Sequence, residues 1–181
     1  MSQYKVLKHE LCHSGQVVDF YANTIQLPNG RTAVWDYLEH KGAAGIVPVT
    51  SEGKIIMVNQ YRGGVAQNMW EIPAGGINPG EDMLTCAKRE LEEETGFRSE
   101  HIKPLINLHS CPSYCEEQLG IYYATDLIKS KQNLDEDEFV TLKEFTIEEL
   151  VNMIFNGDIT DSKTVASILA YRALCEKGNN L

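Results

Sequence analysis

The stretch that decides the fold is residues 75–97, GGINPGEDMLTCAKRELEEETGF, in which a loop rich in glycine and proline leads into an amphipathic helix. The loop continues from the preceding residues 70–74, WEIPA, and its glycines and prolines are typical of a shaped turn. From Glu81 or Asp82 onward the pattern predicts a helix that ends at Thr95, with Gly96 as a left-handed C-cap. Steps of three and four residues predict an inner stripe of Leu84, Ala87, Lys88 and Leu91.

The second half of this helix carries an unusual concentration of charge. Residues 89–94, RELEEE, place four carboxylates within about one and a half turns, where like charges repel. Glu90, Glu93 and Glu94 lie on one helix face, so their oxygens can converge on a hard divalent cation. Arg89 and Glu93 are four residues apart and can form an ion pair, which leaves Glu90 and Glu94 as the better metal ligands. From the carboxylates alone, a solvated acidic face is the alternative.

Strands and other helices are predicted on both sides of this segment. Residues 16–26 and 31–39 read as two strands of a hairpin around the turn Pro28-Asn29-Gly30, and residues 44–50 and 54–60 read as two further strands. After the helix we predict strands at 101–110, 119–125 and 139–145, and an acidic turn at 135–138. Two final helices are predicted, one over 147–155 and one after a Thr160 or Asp161 cap. The order of elements predicts the α/β class, with a mixed β-sheet between helices.

Length and composition exclude several classes of protein. The chain has 181 residues, 43% of them hydrophobic and 23% charged, as in one ordinary globular domain. Sixteen Lys and Arg against 26 Asp and Glu give a net charge of −10, which argues against a nucleic-acid or membrane-lipid partner. No apolar stretch approaches the roughly 20 residues that span a bilayer, and the N-terminus lacks a signal-peptide core. We therefore expect a cytoplasmic protein.

The spacing within residues 75–97 resembles the signature of the Nudix hydrolase family. Gly75 is followed after five residues by Glu81, after seven more by Arg89-Glu90-Leu91, and then by Glu93-Glu94 and Gly96. Any seven of these identities coincide by chance at a given start only about once in 10⁸. The resemblance implies the Nudix fold, a mixed sheet sandwiched between α-helices, here with an N-terminal antiparallel β extension over residues 1–40 and a Nudix domain over 41–181.

Flanking segments resemble one branch of that family, the ADP-ribose pyrophosphatases. Residues 71–75, EIPAG, look like the segment leading into their signature, and Pro112 follows Gly96 at their typical spacing. Residues 112–117, PSYCEE, resemble their loop that carries a catalytic glutamate, although Ser113 replaces the more usual glycine and stiffens the loop. Alignment favours Glu117 over Glu116 as that glutamate. Residues 157–164, GDITDSKT, resemble the ending of both ADP-ribose and GDP-mannose hydrolases.

The resemblance implies a set of roles for individual residues. Mg²⁺, with Mn²⁺ as an alternative, would be held by the Ala74 carbonyl, Glu90 and Glu94. Glu117 would be the general base, and Arg89 and Glu93 would complete the catalytic group. The substrate, a nucleoside diphosphate sugar, would be bound by Arg62, Trp35 and Glu71. The products would be a nucleoside monophosphate and a sugar phosphate.

The N-terminal extension is expected to form a homodimer. Its predicted hairpin has apolar residues on both faces, among them Val17, Tyr21, Val34 and Trp35, and an isolated hairpin is marginal in water. In the ADP-ribose pyrophosphatases that this chain resembles, a second copy covers such strands and contributes an aromatic residue that stacks on the base. Trp35 is the candidate for that role, and packing in a core or interface is its alternative.

Other functions remain open at the level of sequence. One is a hydrolase that prefers GDP-mannose, and another is a sensor that binds a nucleotide sugar without cleaving it. The intact charge cluster argues against the sensor, because binding alone does not require so many neighbouring carboxylates. An RNA-decapping Nudix enzyme is disfavoured by the net charge of −10.

Overall fold

The computed structural model describes residues 3–134 and 138–178, which divide into two compact units. Unit 1 is the chain up to Gly42 together with His109–Gln118, and unit 2 is Ala43–Leu108 together with the chain from Leu119. The first boundary lies near the predicted one at residues 40 and 41, but unit 1 also includes the loop that carries Glu116 and Glu117. Residues 135–137 of the predicted acidic turn lie outside the described residues.

Unit 1 contains a three-stranded antiparallel sheet in the order β1-β2-β3, formed by β1 (Lys5–Ser14), β2 (Asp19–Gln26) and β3 (Thr32–Glu39). The predicted hairpin is confirmed, and Gly30 supplies the positive φ of 80° at its turn. The first strand, β1, has no counterpart in the sequence prediction. All ten of its residues are exposed, so it lacks the buried face that makes a strand recognisable.

Unit 2 contains the remaining strands and all three helices of the described chain. They are β4 (Ala43–Pro48), β5 (Ile55–Arg62), β6 (Gln67–Glu71), β7 (Ala74–Gly76), α1 (Met83–Thr95), β8 (Phe97–Arg98), β9 (His101–His109), β10 (Gln118–Thr125), β11 (Ile128–Lys129), β12 (Val140–Phe145), α2 (Ile147–Asn156) and α3 (Ser162–Gly178). One sheet has the order β7-β4-β10-β9, and another has the order β12-β5-β6. Because β4 pairs with β10 in parallel and with β7 antiparallel, the predicted mixed sheet is confirmed.

Strand β4 lies at the centre of unit 2, and each of its six residues is buried. Ala44 and Ile46 pack in a cluster with Ala87 and Leu91 of α1. Their neighbour Val47 belongs to a second cluster, which also contains side chains of α2 and α3. Since successive side chains of a strand point to opposite faces, α1 covers one face of the sheet and α2 and α3 cover the other.

Helix α1 has well-defined ends. The Asp82 carboxylate accepts a hydrogen bond of 2.7 Å from the Thr85 N–H, and Gly96 caps the other end with φ of 70°. Past that end, two later residues donate hydrogen bonds to carbonyls of α1: the Asn133 N–H to Glu93 at 3.0 Å and the Gln132 side-chain amide to Glu94 at 2.6 Å. The predicted span of this helix is therefore confirmed.

The predicted inner stripe of α1 is wrong at two positions. Leu84 is 36% exposed and Lys88 is also exposed, whereas Cys86, Glu90 and Glu94 are buried. The buried face is rotated toward the glutamates, since Cys86 lies against the backbone of β7 and donates to the Gly75 and Gly76 carbonyls at 3.4 Å. No helix among the described residues is long and apolar enough to cross a membrane.

Candidate active site

The centre of the candidate site is the contact between β7 and the acidic face of α1. The Ala74 N–H donates a hydrogen bond of 3.1 Å to the Glu94 carboxylate. An ideal Cβ on Gly75 would lie 1.9 Å from the Glu90 Oε1, so only a residue without a side chain leaves room for that carboxylate. Strand β7 is in turn fixed by antiparallel pairing with the buried strand β4. The sheet therefore places two carboxylates against one short backbone segment.

Arg89 connects four parts of this centre. Its Nη1 donates to Glu90 at 2.6 Å and to Glu93 at 2.9 Å, and its other nitrogens donate to both Glu81 oxygens and to the Gly76 carbonyl. The predicted pair with Glu93 is confirmed. The same nitrogen reaches both Glu90 and Glu93, so Arg89 also orients the carboxylate that is predicted to bind the metal. Glu81, which binds Arg89 through both oxygens, had no predicted role, although its fixed place in the signature marks it.

Burial disfavours the ionised form of Glu90 and Glu94, the two carboxylates that lie against β7. Burial, reinforced by the nearby Glu90 charge, raises the pKa of Glu94 to about 8, and the side chain is only 2% exposed. Burial also raises the pKa of Glu90, while Arg89 opposes that change. Two buried carboxylates side by side, each offering hard oxygen donors, have the chemistry that suits a divalent cation.

Protein side chains alone do not complete a metal site here. Across residues 3–134 and 138–178, no three His, Cys, Asp or Glu side chains are arranged to hold a metal ion. A cation held by Glu90 and Glu94 would need further oxygens from the backbone, from water or from a bound ligand. Such mixed coordination is usual for Mg²⁺, which retains waters and accepts phosphate oxygens.

A second cluster of charges in unit 2 surrounds Glu71, at the end of β6. Arg62 donates to both Glu71 oxygens through Nε and Nη2, each at 2.8 Å, and Lys163 also donates to this carboxylate. Lys163 is held in turn by Asp161 at 2.9 Å. The Glu71 side chain is only 2% exposed. Because both of its oxygens are already paired, Glu71 is placed to position Arg62 and Lys163 rather than to offer a ligand a free oxygen.

This cluster was only partly predictable. Arg62 and Glu71 were singled out, but Lys163 was only quoted in the ending that resembles ADP-ribose and GDP-mannose hydrolases. Asp161 was named only as a candidate helix cap, with no role in the site. Lys163 lies 92 residues from Glu71 in sequence, so spacing gives no signal for their contact. Trp70, which precedes Glu71, packs against the core, edge-on to Phe145 at 5.1 Å between ring centroids.

Unit 1 holds the other predicted site residues, Glu117 and Trp35. The Glu117 Oε1 lies 3.5 Å from the His40 Nδ1, and the neighbouring Glu116 accepts a hydrogen bond from the Tyr37 hydroxyl. Trp35 is 46% exposed and lines a cavity of about 630 Å³. The other residues around this cavity are Phe20, Val34, Asp36, Leu38, Ser113 and Tyr114. An exposed indole at a cavity of this size is available to stack on a planar ligand.

The close approach of Glu90 to Gly75 gives a testable prediction. We expect Gly75→Ala to displace the Glu90 carboxylate and to weaken Mn²⁺ binding, measured by calorimetric titration, by about tenfold or more. Gly76→Ala is the matched control, because a Cβ there meets nothing within 4 Å. Thermal unfolding of both variants would verify that the fold is retained. Equal Mn²⁺ affinities in the two variants would contradict the assignment of Glu90 to the metal site.

Comparison with known proteins agrees with this architecture. The chain is 41% identical over 166 residues to "Methanol dehydrogenase activator" of Bacillus methanolicus, and the match covers 91% of this chain and 90% of that protein. It is 36% identical to "ADP-ribose pyrophosphatase" of Bacillus subtilis (strain 168), with the same coverage. A crystal structure of an ADP compounds hydrolase, 22% identical, superposes with a TM-score of 0.88 over 100% of this chain and 98% of that one, which shows a shared fold. Residues 39–168 match the NUDIX domain, and the chain belongs to the Nudix family.

Proposed function

We propose that this protein hydrolyses the diphosphate bond of ADP-ribose and related nucleoside diphosphate sugars. Water would add to one phosphorus and break the bridging bond, so that ADP-ribose gives AMP and ribose 5-phosphate. The observation that carries the proposal is the set of buried carboxylates of α1 held against β7, with Arg89 between them. The relatives named ADP-ribose pyrophosphatase, 36% and 29% identical to this chain, support the choice of substrate.

Glu90 and Glu94, together with the Ala74 carbonyl, would hold Mg²⁺ or Mn²⁺. When bound, the cation supplies positive charge to the diphosphate and lowers the pKa of a coordinated water. The proposal is supported by the raised pKa values of these two glutamates, since a neighbouring cation offsets the cost of burying two negative charges. Arg89 would fix the orientation of Glu90 and Glu93 within this catalytic group.

Arg62 would contact the phosphates. Its guanidinium binds Glu71 through Nε and Nη2, which leaves Nη1 outside that pair. The Glu71 carboxylate also raises the pKa of Arg62, so the group stays charged. We therefore assign Glu71 to substrate binding only indirectly, as the residue that holds the guanidinium in a fixed orientation. Glu71 positions Lys163 in the same way.

Two residues of unit 1 complete the proposed mechanism. Glu117 would take the proton of the attacking water, the role of the glutamate in the corresponding loop of the family. Trp35 would stack on the nucleobase, which its exposed position at a cavity supports. A hydrolase that prefers GDP-mannose would use the same groups, so a panel of nucleoside diphosphate sugars has to decide the base and the sugar.

The metal assignment predicts a large loss of activity in one variant. Glu94→Gln removes one ligand charge without changing side-chain volume, and we expect turnover of ADP-ribose with saturating Mg²⁺ to fall by about 10²-fold or more. Glu92→Gln is the matched control, because it makes the same charge change on the same helix. The Glu92 carboxylate accepts a hydrogen bond from the Ser130 hydroxyl and is not a proposed metal ligand. Turnover of Glu94→Gln within about threefold of wild type would refute the assignment.

Stacking by Trp35 predicts an effect on affinity. Base–aromatic stacking contributes about 1–3 kcal/mol, so Trp35→Ala should raise the KM for ADP-ribose by about tenfold with little change in kcat. Trp35→Phe retains a ring and should lie close to wild type. If Trp35→Ala leaves KM unchanged, the tryptophan does not contact the base.

We also propose that the protein is a homodimer that associates through the sheet of unit 1. Strand β1 is a ten-residue edge strand of that sheet and exposes Val6 and Leu11 by 55% and 52%. An edge strand presents unpaired N–H and C=O groups on which another chain can pair, and a second copy would cover this edge symmetrically. If the partner's sheet also places its Trp35 against the base, a variant that weakens dimerisation will also weaken substrate affinity.

Sedimentation velocity at micromolar concentration tests the dimer. We expect wild type to sediment as a dimer. The dimer dissociation constant of Val6→Glu should be about tenfold higher or more, because two like charges would meet in a symmetric interface. Val17→Glu is the control, since Val17 is 80% exposed and lies outside the strands. A wild-type monomer with full activity would rule out the proposal.

A second candidate function is activation of a methanol dehydrogenase. The observation that favours it is the 41% identity to the Bacillus methanolicus protein of that name. Methanol oxidation by that dehydrogenase can be measured with wild type and with Glu94→Gln. Stimulation by wild type alone would link activation to the carboxylates of α1, whereas stimulation by both would indicate that binding suffices.

A further inference from the structure

The loop that carries the two candidate base residues is attached to strand β3 of its own unit. The Leu38 N–H donates to the Tyr114 carbonyl at 2.7 Å, and the Glu116 N–H donates back to the Leu38 carbonyl at 3.4 Å. Together these bonds form a short parallel bridge between Leu38 and Cys115. The loop is also closed on itself, since the Ser110 N–H donates to the Glu117 carbonyl at 3.4 Å. The main chain around both glutamates is therefore held from two sides.

Side chains next to Leu38 also contact the loop, and their contacts with Glu116 and with Glu117 differ. The Tyr37 hydroxyl donates to the Glu116 carboxylate. Burial, followed by the contact with Glu116, raises the pKa of Tyr37, so the hydroxyl keeps its proton and stays a donor. Glu116 is consequently engaged by a fixed donor.

The Tyr37 ring is itself held by an aromatic cluster of the same sheet. Tyr21, its direct partner across β2 and β3, packs edge-on at 6.3 Å between centroids, and His9 packs edge-on at 5.6 Å. His9 stacks on Tyr21 at 4.0 Å and contacts the Asn23 side-chain oxygen at 2.6 Å. A ring with two edge contacts has little freedom to release its hydroxyl from Glu116.

Glu117 has a different environment. Its Oε1 lies 3.5 Å from the His40 Nδ1. That nitrogen accepts a hydrogen bond of 3.0 Å from the Gly42 N–H, so in the neutral ring the proton is on Nε2 and Nδ1 has none to donate to Glu117. Within the described residues, no hydrogen-bond donor is assigned to the Glu117 carboxylate. Its oxygens remain free to accept a proton.

We propose that Tyr37 is a positioning residue that binds Glu116 and thereby anchors the loop. Of the two neighbouring glutamates, Glu117 is then the one whose carboxylate stays free. The inference rests on the proposed function for its catalytic part, because it identifies Glu117 rather than Glu116 as the base of that reaction. Its structural part, the anchoring of the loop by the N-terminal sheet, holds whatever the substrate is. The two parts are tested by different measurements.

Hydrogen exchange followed by mass spectrometry tests the anchoring without any substrate. Tyr37→Phe removes the hydroxyl but keeps the ring, and we expect the amides of Leu38 and Glu116 to exchange about tenfold faster at pH 7. Tyr21→Phe is the matched control, because the Tyr21 hydroxyl lies in the same cluster but donates to Glu39, at 3.0 Å. Unchanged exchange in Tyr37→Phe, or equal acceleration in Tyr21→Phe, would overturn the anchoring.

Steady-state kinetics on a substrate that wild type hydrolyses tests the catalytic part. Glu117→Gln should lower kcat by about 10²- to 10⁴-fold at nearly constant KM, while Glu116→Gln, which keeps an acceptor oxygen for Tyr37, should lie within about threefold of wild type. Glu116→Ala and Tyr37→Phe should each lower kcat by about fivefold, and the double variant should be no worse than either, because both remove one interaction.

The outcomes separate the inference from the proposed function. A reversed ranking of the two Gln variants, or multiplying effects in the double variant, would overturn the roles assigned to Tyr37 and Glu117. If wild type hydrolyses no nucleoside diphosphate sugar, the proposed function fails and the exchange measurement alone decides the anchoring.

Discussion

The constraint on which the site depends is the contact of two buried carboxylates with a backbone segment that has no side chain in the way. Glu94 accepts from the Ala74 N–H, and Glu90 occupies the space that a Cβ on Gly75 would fill. Both contacts need α1 at one distance and one rotation relative to β7. The packing of Ala87 and Leu91 on Ala44 and Ile46 fixes that position, so the apolar core of unit 2 sets the geometry of the charges.

Three cations of the candidate site, Arg62, Arg89 and Lys163, are already engaged with carboxylates. Arg89 is bound to three glutamates, and Arg62 and Lys163 share Glu71. In a protein with a net charge of −10, these pairs hold positive groups in place but add little net attraction for an anionic ligand. A diphosphate would therefore depend on additional positive charge, which is the physical reason for placing a divalent cation at Glu90 and Glu94.

Local features of the fold could be predicted from sequence, and long-range ones could not. The span of α1 and the β2–β3 hairpin followed from caps, turn residues and periodicity, all of which act over a few residues. Strand β1 was missed because every residue in it is exposed. The inner stripe of α1 was misjudged because periodicity gave weight to Leu84 and left out Glu90 and Glu94, which are buried. Lys163, a partner of Glu71, and Tyr37, the partner of Glu116, come from segments 92 and 79 residues away, where spacing carries no information.

The cap at the C-terminal end of α1 links the acidic helix to a part of the chain far outside the signature. Carbonyls of Glu93 and Glu94, which would otherwise lack partners at the helix end, are satisfied by Asn133 and Gln132. The last turn of the helix therefore cannot unwind or shift unless residues 130–133 move with it. Changes in the length or sequence of that later segment will be transmitted to the carboxylates, so related chains can diverge in site geometry while every residue of the signature stays the same.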